Sequence, residues 1–133
     1  MSGQLVTLPQ REPTLRVVAM PSDANYSGDI FGGWIMGQVD LAGSIPALHL
    51  SRGRVVTVAV NSFVFKEPIF IGDVVSFYAA VIKIGTTSMT VDVQVYAQRD
   101  PVKPVCVKVT EATLTYVAVD ANGKPRVVPS VDQ

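Results

Sequence analysis

Asp40 is the residue whose type and place most directly invite chemistry. It is the only acidic or basic residue between Asp29 and His49. A carboxylate with no cation beside it on its own segment can take a proton from water or attack a carbonyl. It can equally be an acid hydrogen-bonded at a subunit contact, and both readings stand at this point. The second candidate is the run Gly28-Asp29-Ile30-Phe31-Gly32-Gly33, with Asn25 just ahead of it. Taken alone, this is a turn before a helix. Taken with the helix, Gly32 and Gly33 present first-turn amides that lack helical acceptors, at the positive end of the dipole, with no side chain blocking an oxygen. Such amides form an oxyanion hole or a carbonyl clamp.

The other polar residues carry weaker signals. The glycine run has neither the Lys-Ser or Lys-Thr of a phosphate loop nor the GxGxxG spacing, so nucleotide hydrolysis has no motif here. His49 falls at a helix end, where the dipole favours a cap. Cys106 sits in a strand pattern and reads as a small core residue. Arg52, Arg54, Lys66 and Lys83 are first of all solvated charges, although the two arginines flanking Gly53 are placed to reach a phosphate. Gly85-Thr86-Thr87-Ser88 is a tight turn first and a ligand loop second.

Composition narrows the classes. The 133 residues carry 11 Lys+Arg against 11 Asp+Glu, with 48% apolar and only 17% charged residues, which describes a single packed domain rather than a disordered chain. The balanced, scattered charge argues against nucleic acid or an anionic membrane as partner. One Cys and one His make neither a disulfide nor a common zinc site, and leave Ser-His-Asp or Cys-His catalysis dependent on that single His. No basic segment leads into an apolar one, and no apolar run approaches the ~20 residues of a spanning helix, so the expected compartment is the cytoplasm and no metal is expected.

These residues need elements to position them. Thr14 to Ala19 reads as a short strand, and Met20 to Asp29 as a turn-rich loop. From Ile30 to about Leu50 the apolar residues recur at helical spacing, with Asp29 as the expected N-cap and Pro46 expected to bend the last turns. The opposite face carries Gly33, Gly37, Asp40 and Ser44 where a solvated helix would carry Lys and Glu, so a sheet should wrap one side and a partner subunit or ligand should meet the other. After Arg52-Gly53, strands are expected over Arg54 to Phe65, Asp73 to Ile84, Thr87 to Arg99 and Val105 to Val119, the last with a bulge near Thr110-Glu111. Short turns between them predict an antiparallel meander and an α+β layout. Residues 1–13 and 121–133, with their Gly and Pro, read as tails around one domain spanning 14–120.

Several segments together resemble the YciA-type acyl-CoA thioesterases of the hotdog fold. They are Ala19-Met20-Pro21-Ser22-Asp23-Ala24-Asn25, Gly28 to Met36 with Gln38-Val39-Asp40, Gly53 to Val58, Pro68 with Gly72 to Val75, Gly85 to Ser88, and Thr110 to Ala112 with Tyr116 to Asp120. The likeness runs from about Leu15 to Pro129. It implies a five-stranded antiparallel sheet wrapped around one long central helix, two subunits joining their sheets, and often a hexamer built as a trimer of such dimers.

The resemblance also implies hydrolysis of acyl-CoA thioesters, with coenzyme A as part of substrate and product and without a metal or organic cofactor, at sites shared between subunits. It places the helix carboxylate on Asp40 and the loop amide on Asn25, the latter from the other subunit. The amides near Gly32 and Gly33 would stabilise the oxyanion, and Arg54, Lys66, Thr86, Thr87 and Ser88 would meet the nucleotide end. Pro46 and Asn61 depart from the family's pattern and bear on acyl-chain preference. Two other readings fit the same scaffold. One is a non-catalytic acyl-CoA binding or sensing module; the other is a hydratase, which would want a His nearer the acid than His49, two turns on.

Overall fold

The computed structural model describes residues 5–129; the outermost parts of both expected tails lie outside the described residues. Its elements are β1 (Leu15–Val18), a 3-10 turn (Pro21–Asp23), α1 (Gly32–Ser51), β2 (Val55–Phe65), β3 (Val74–Ile84), β4 (Ser88–Arg99) and β5 (Val105–Ala118). All strand pairs are antiparallel, in the order β1-β3-β4-β5-β2. The sheet packs on α1 through β2, β3, β4 and β5, which is the hotdog arrangement the sequence resemblance implies.

Alternation decides which face is buried. Met89, Val91, Val93, Val95 and Ala97 of β4 point at α1 and are fully buried, meeting Ile35, Val39, Ala42 and Ala47 of the helix. In β5 the buried set changes phase because Val95 pairs with Thr110 and Tyr96 with Lys108, leaving Val109 as the extra residue of a bulge. The break in the apolar alternation locates that bulge to within a residue or two.

Strand order differs from the expected meander, which holds only for β3, β4 and β5. β2 crosses over to pair with β5, and β1 pairs with β3. The helix inserted between β1 and β2 carries the chain from one edge of the sheet to the other, so both edges are occupied by strands that precede the meander. The helix start also differs. Asp29 is engaged in the loop before it, its N–H donating to Asn25 Oδ1 at 3.1 Å and its carbonyl accepting from Asn25 N–H at 2.7 Å. Phe31 is therefore the N-cap residue, and no side chain caps the helix. α1 continues through Pro46 and ends at Arg52, whose φ of 58° turns the chain out.

The segments flanking the domain are packed against it. Val6 donates to the Cys106 carbonyl at 3.0 Å, and Arg11 lies over the Tyr78 ring at 5.2 Å, so residues 5–14 cross the sheet face opposite the helix. Past Ala121 the chain returns. Val128 enters the core, and Arg126 donates to the carbonyls of Ser51 (2.8 Å) and Val119 (2.9 Å), serving the end of α1 where carbonyls lack partners. Cys106 is half-buried on the outer face rather than in the core, because the in-pointing positions of its strand are Val105, Val107 and Val109; burial pushes its thiol up.

Candidate functional site

Asp40 sits half-buried on α1, where β2 and β5 pass beneath it. Thr57 of β2 donates its hydroxyl to Asp40 Oδ1 at 2.6 Å. Tyr116, paired with Thr57 across the sheet, brings its hydroxyl to 2.7 Å from the Asp40 carbonyl and 3.0 Å from the same Oδ1. One carboxylate oxygen is thus held by two hydroxyls, and Oδ2 lies outside that pair of contacts. Burial, with the Asp40 charge adding to it, holds the Tyr116 phenol far above its ordinary range, so it stays a donor. Neither Thr57 nor Tyr116 stands out in the sequence as a functional residue. The available signal for Tyr116 is a phenol in the buried alternation of β5, since a buried tyrosine hydroxyl needs a partner.

Gly43 makes this seat possible. A Cβ at this position would lie 2.5 Å from the Tyr116 hydroxyl oxygen, inside any real contact distance. The glycines expected to face a partner behave differently: nothing in the subunit would meet a Cβ at Gly33 or Gly37. That side of α1 also exposes Met36, Leu41 and Leu48. Apolar side chains and open space along one stripe describe a surface that awaits cover.

The start of α1 forms a separate group. Trp34 and Ile35 donate to the Phe31 carbonyl, so the amides of Gly32 and Gly33 precede the first helical bond. Gly32 shares a cleft of about 410 Å3 with Ile30, Ile35, Phe65, Lys66 and Pro68. A Cβ on Gly32 would come to 3.3 Å from the Phe65 ring. Lys66 faces Glu111 across 3.7 Å, with both half-exposed. Asn25 lies in the loop that leads in, and its Oδ1 accepts from Ser27 N–H at 2.8 Å as well as from Asp29. Its oxygen thus shapes the loop.

The remaining candidates lie at the other end of the sheet. The Arg54 carbonyl accepts from Val119 N–H and the Thr87 carbonyl from Ala118 N–H, so Arg54 and the turn with Thr86, Thr87 and Ser88 flank the end of β5 together. Arg54 and Lys66 bracket the 11 residues of β2 and stand on the order of 35 Å apart. Within one subunit they cannot share a nucleotide. Asp40 and the Gly32–Gly33 amides are separated along α1 by about 11 Å. The candidates thus fall into two groups, a carboxylate seat and a helix-start cleft. A second cavity, of about 500 Å3, lies on the outer face between the N-terminal segment and the β4–β5 turn and contains none of the proposed site residues. Among the described residues no three His, Cys, Asp or Glu side chains gather as a metal site would require. No helix is long and apolar enough to cross a membrane.

Comparison with known proteins fits this geometry. The model of the thioesterase superfamily matches residues 27–103. The chain is 48% identical over 123 residues to the acyl-CoA thioester hydrolase YciA of Salmonella typhimurium, covering 91% of this chain and 92% of that protein. It is similar to the hexameric hotdog fold thioesterase of Campylobacter jejuni, at 50% identity and a TM-score of 0.85 over 90% of this chain and 91% of the other. It is similar as well to the hexameric thioesterase of Yersinia pestis, at 49% identity and a TM-score of 0.85 over 92% and 99% of the two chains. With this identity along nearly its whole length, the chain belongs to the thioesterase superfamily and has its hotdog fold.

Proposed function

We propose that the protein hydrolyses acyl-CoA thioesters to free CoA and a carboxylic acid, with Asp40 as the catalytic carboxylate. The observation that carries this reading is the seat of Asp40, a lone carboxylate held through Oδ1 by Thr57 and Tyr116 on a helix that also exposes Met36, Leu41 and Leu48. In the direct route Oδ2 takes a proton from water while the water oxygen attacks the thioester carbonyl. The C–S bond then breaks, and the proton passes to the departing CoA sulfur. The same oxygen can instead attack the carbonyl and expel CoA as its thiolate, forming a mixed anhydride that water cleaves to the free acid and the regenerated Asp40, with the proton released from water passing to the thiolate. In either route the negative oxygen of the intermediate is met by the Gly32 and Gly33 amides, and the Asn25 amide orients water or carbonyl.

On this reading Asn25 comes from a second subunit, as the family resemblance implies. The edge strand β2 is the natural seam: one side of its backbone is unpaired, and Val58, Val60, Val64 and Phe65 are exposed. Two such edges joined give a dimer with a continuous sheet, and three dimers give a hexamer, the assembly named for the Campylobacter and Yersinia relatives. Across that seam Arg54, Lys66 and the Thr86 to Ser88 turn are candidates for the phosphates of CoA. The chemistry needs no metal or organic cofactor, because carboxylate and amides supply every proton and charge contact. We place the enzyme in the cytoplasm, free of nucleic acid and membrane.

The test is release of free thiol from acyl-CoAs running from acetyl to palmitoyl, with wild type beside Asp40→Asn. The variant should fold and assemble as wild type and lose about a hundred-fold to ten-thousand-fold in kcat. Undiminished turnover in Asp40→Asn would overturn the assignment of Asp40. Tight acyl-CoA binding by wild type without thiol release would favour the sensing module instead.

A further inference from the structure

We infer that Tyr116 is a positioning residue for the reaction, holding Asp40 so that a single carboxylate oxygen faces the substrate, and that Gly43 is glycine to admit the Tyr116 hydroxyl. The inference rests on Asp40 being the catalytic carboxylate. Its own support is geometric. The Tyr116 ring is fully buried, and its hydroxyl ends between the Asp40 carbonyl at 2.7 Å and Oδ1 at 3.0 Å. A contact to the backbone carbonyl as well as to the carboxylate fixes both the height of the helix at Asp40 and the rotation of its side chain. Thr57 closes on the same oxygen from β2 at 2.6 Å. Thr57 and the Tyr116 hydroxyl, whose one proton is shared with the Asp40 carbonyl, both engage Oδ1 and leave Oδ2 outside the clamp. Because the phenol keeps its proton, the clamp does not open as pH rises through the working range.

Tyr116 is the titratable group that bears on Asp40 from the packed elements. α1 offers no other acid or base before His49, and β2 has none between Arg54 and Lys66. Tyr78 of β3 points out beneath Arg11, and Lys83 lies at the far end of that strand. Asp92 and Tyr96 of β4, and Lys108 and Glu111 of β5, alternate onto the outer face, away from the helix.

Tyr116→Phe removes the donor and keeps the ring. The expected result is a fall of about ten-fold in kcat with KM within about two-fold of wild type, because the lost contact acts on the reacting carboxylate rather than on CoA binding. A filler of the core would move kcat and KM together or leave both in place. Gly43→Ala provides a second route to the same point, keeping the phenol and displacing its hydroxyl. It should reproduce the kcat loss and cost far less in the Tyr116→Phe background, where the crowding oxygen is gone. Unchanged kcat in Tyr116→Phe, beside an inactive Asp40→Asn, would overturn the positioning role and leave Asp40 standing. If Tyr116→Phe does not assemble, additive kcat losses of Gly43→Ala and Thr57→Val would overturn it, and strong non-additivity would support it. An active Asp40→Asn would remove the ground from both.

Discussion

β4 and β2 are built from the same kind of sequence and end in opposite states. Both are long and rich in valine, yet Met89, Val91, Val93, Val95 and Ala97 of β4 are fully buried, while Val58, Val60, Val64 and Phe65 of β2 are between 46% and 55% exposed. The residues do not make that difference; their neighbours do. β4 lies between β3 and β5 with α1 above it, whereas β2 has β5 on one side and an open backbone edge on the other. Stability resides where the subunit is complete. The proposed chemistry resides where it is not, for Thr57 of β2 clamps Asp40 on the helix whose other side is uncovered. On that proposal an apolar strand at an edge is an unfinished site rather than a flaw.

The same substitution in the two strands should break this contrast most visibly. Val93→Lys places an unpaired charge in the core of β4 and should abolish cooperative unfolding altogether, read by thermal melting. Val60→Lys puts the same charge on the exposed edge. Its far-UV circular dichroism should stay native, while light scattering moves toward smaller species and turnover falls with assembly. An intact hexamer with full activity in Val60→Lys would mean that β2 is not the seam. A smaller effect sharpens the boundary of the complete part. Arg126→Ala strips the carbonyls at the end of α1 of a charged donor and should cost about 1–2 kcal/mol of stability with kcat unchanged, measured by denaturant unfolding.

Much of this was legible in the chain because it is local. Helical spacing gave α1 to within two residues at its start, and the phase change of valines and alanines in β5 located its bulge. Asp40 stood out because no charge accompanies it. Strand order was not legible, because whether β2 pairs with β3 or with β5 depends on the helix crossing between the edges, and no periodicity records that. Asp29 has the composition of an N-cap, but the Asn25 loop holds it instead, and a loop closed through a side-chain oxygen looks in sequence like any turn. Tyr116 was hidden for a related reason: alternation reports its buried ring and says nothing about where its hydroxyl ends. The sequence places Gly32 and Asp40 on one helix, about 11 Å apart along its axis, and says nothing of the subunit each one serves.

The most direct test of the divided site is subunit mixing. Asn25→Ala disables the helix-start half and Asp40→Asn the carboxylate half, so each variant alone should hydrolyse acyl-CoA poorly. Mixed in equal amounts and allowed to exchange, with native mass spectrometry reporting heterodimers, they create one intact site per heterodimer. Thiol release should rise to about one quarter of wild type at random pairing. Activity that stays at the level of the parents while heterodimers are present would contradict a site shared between subunits.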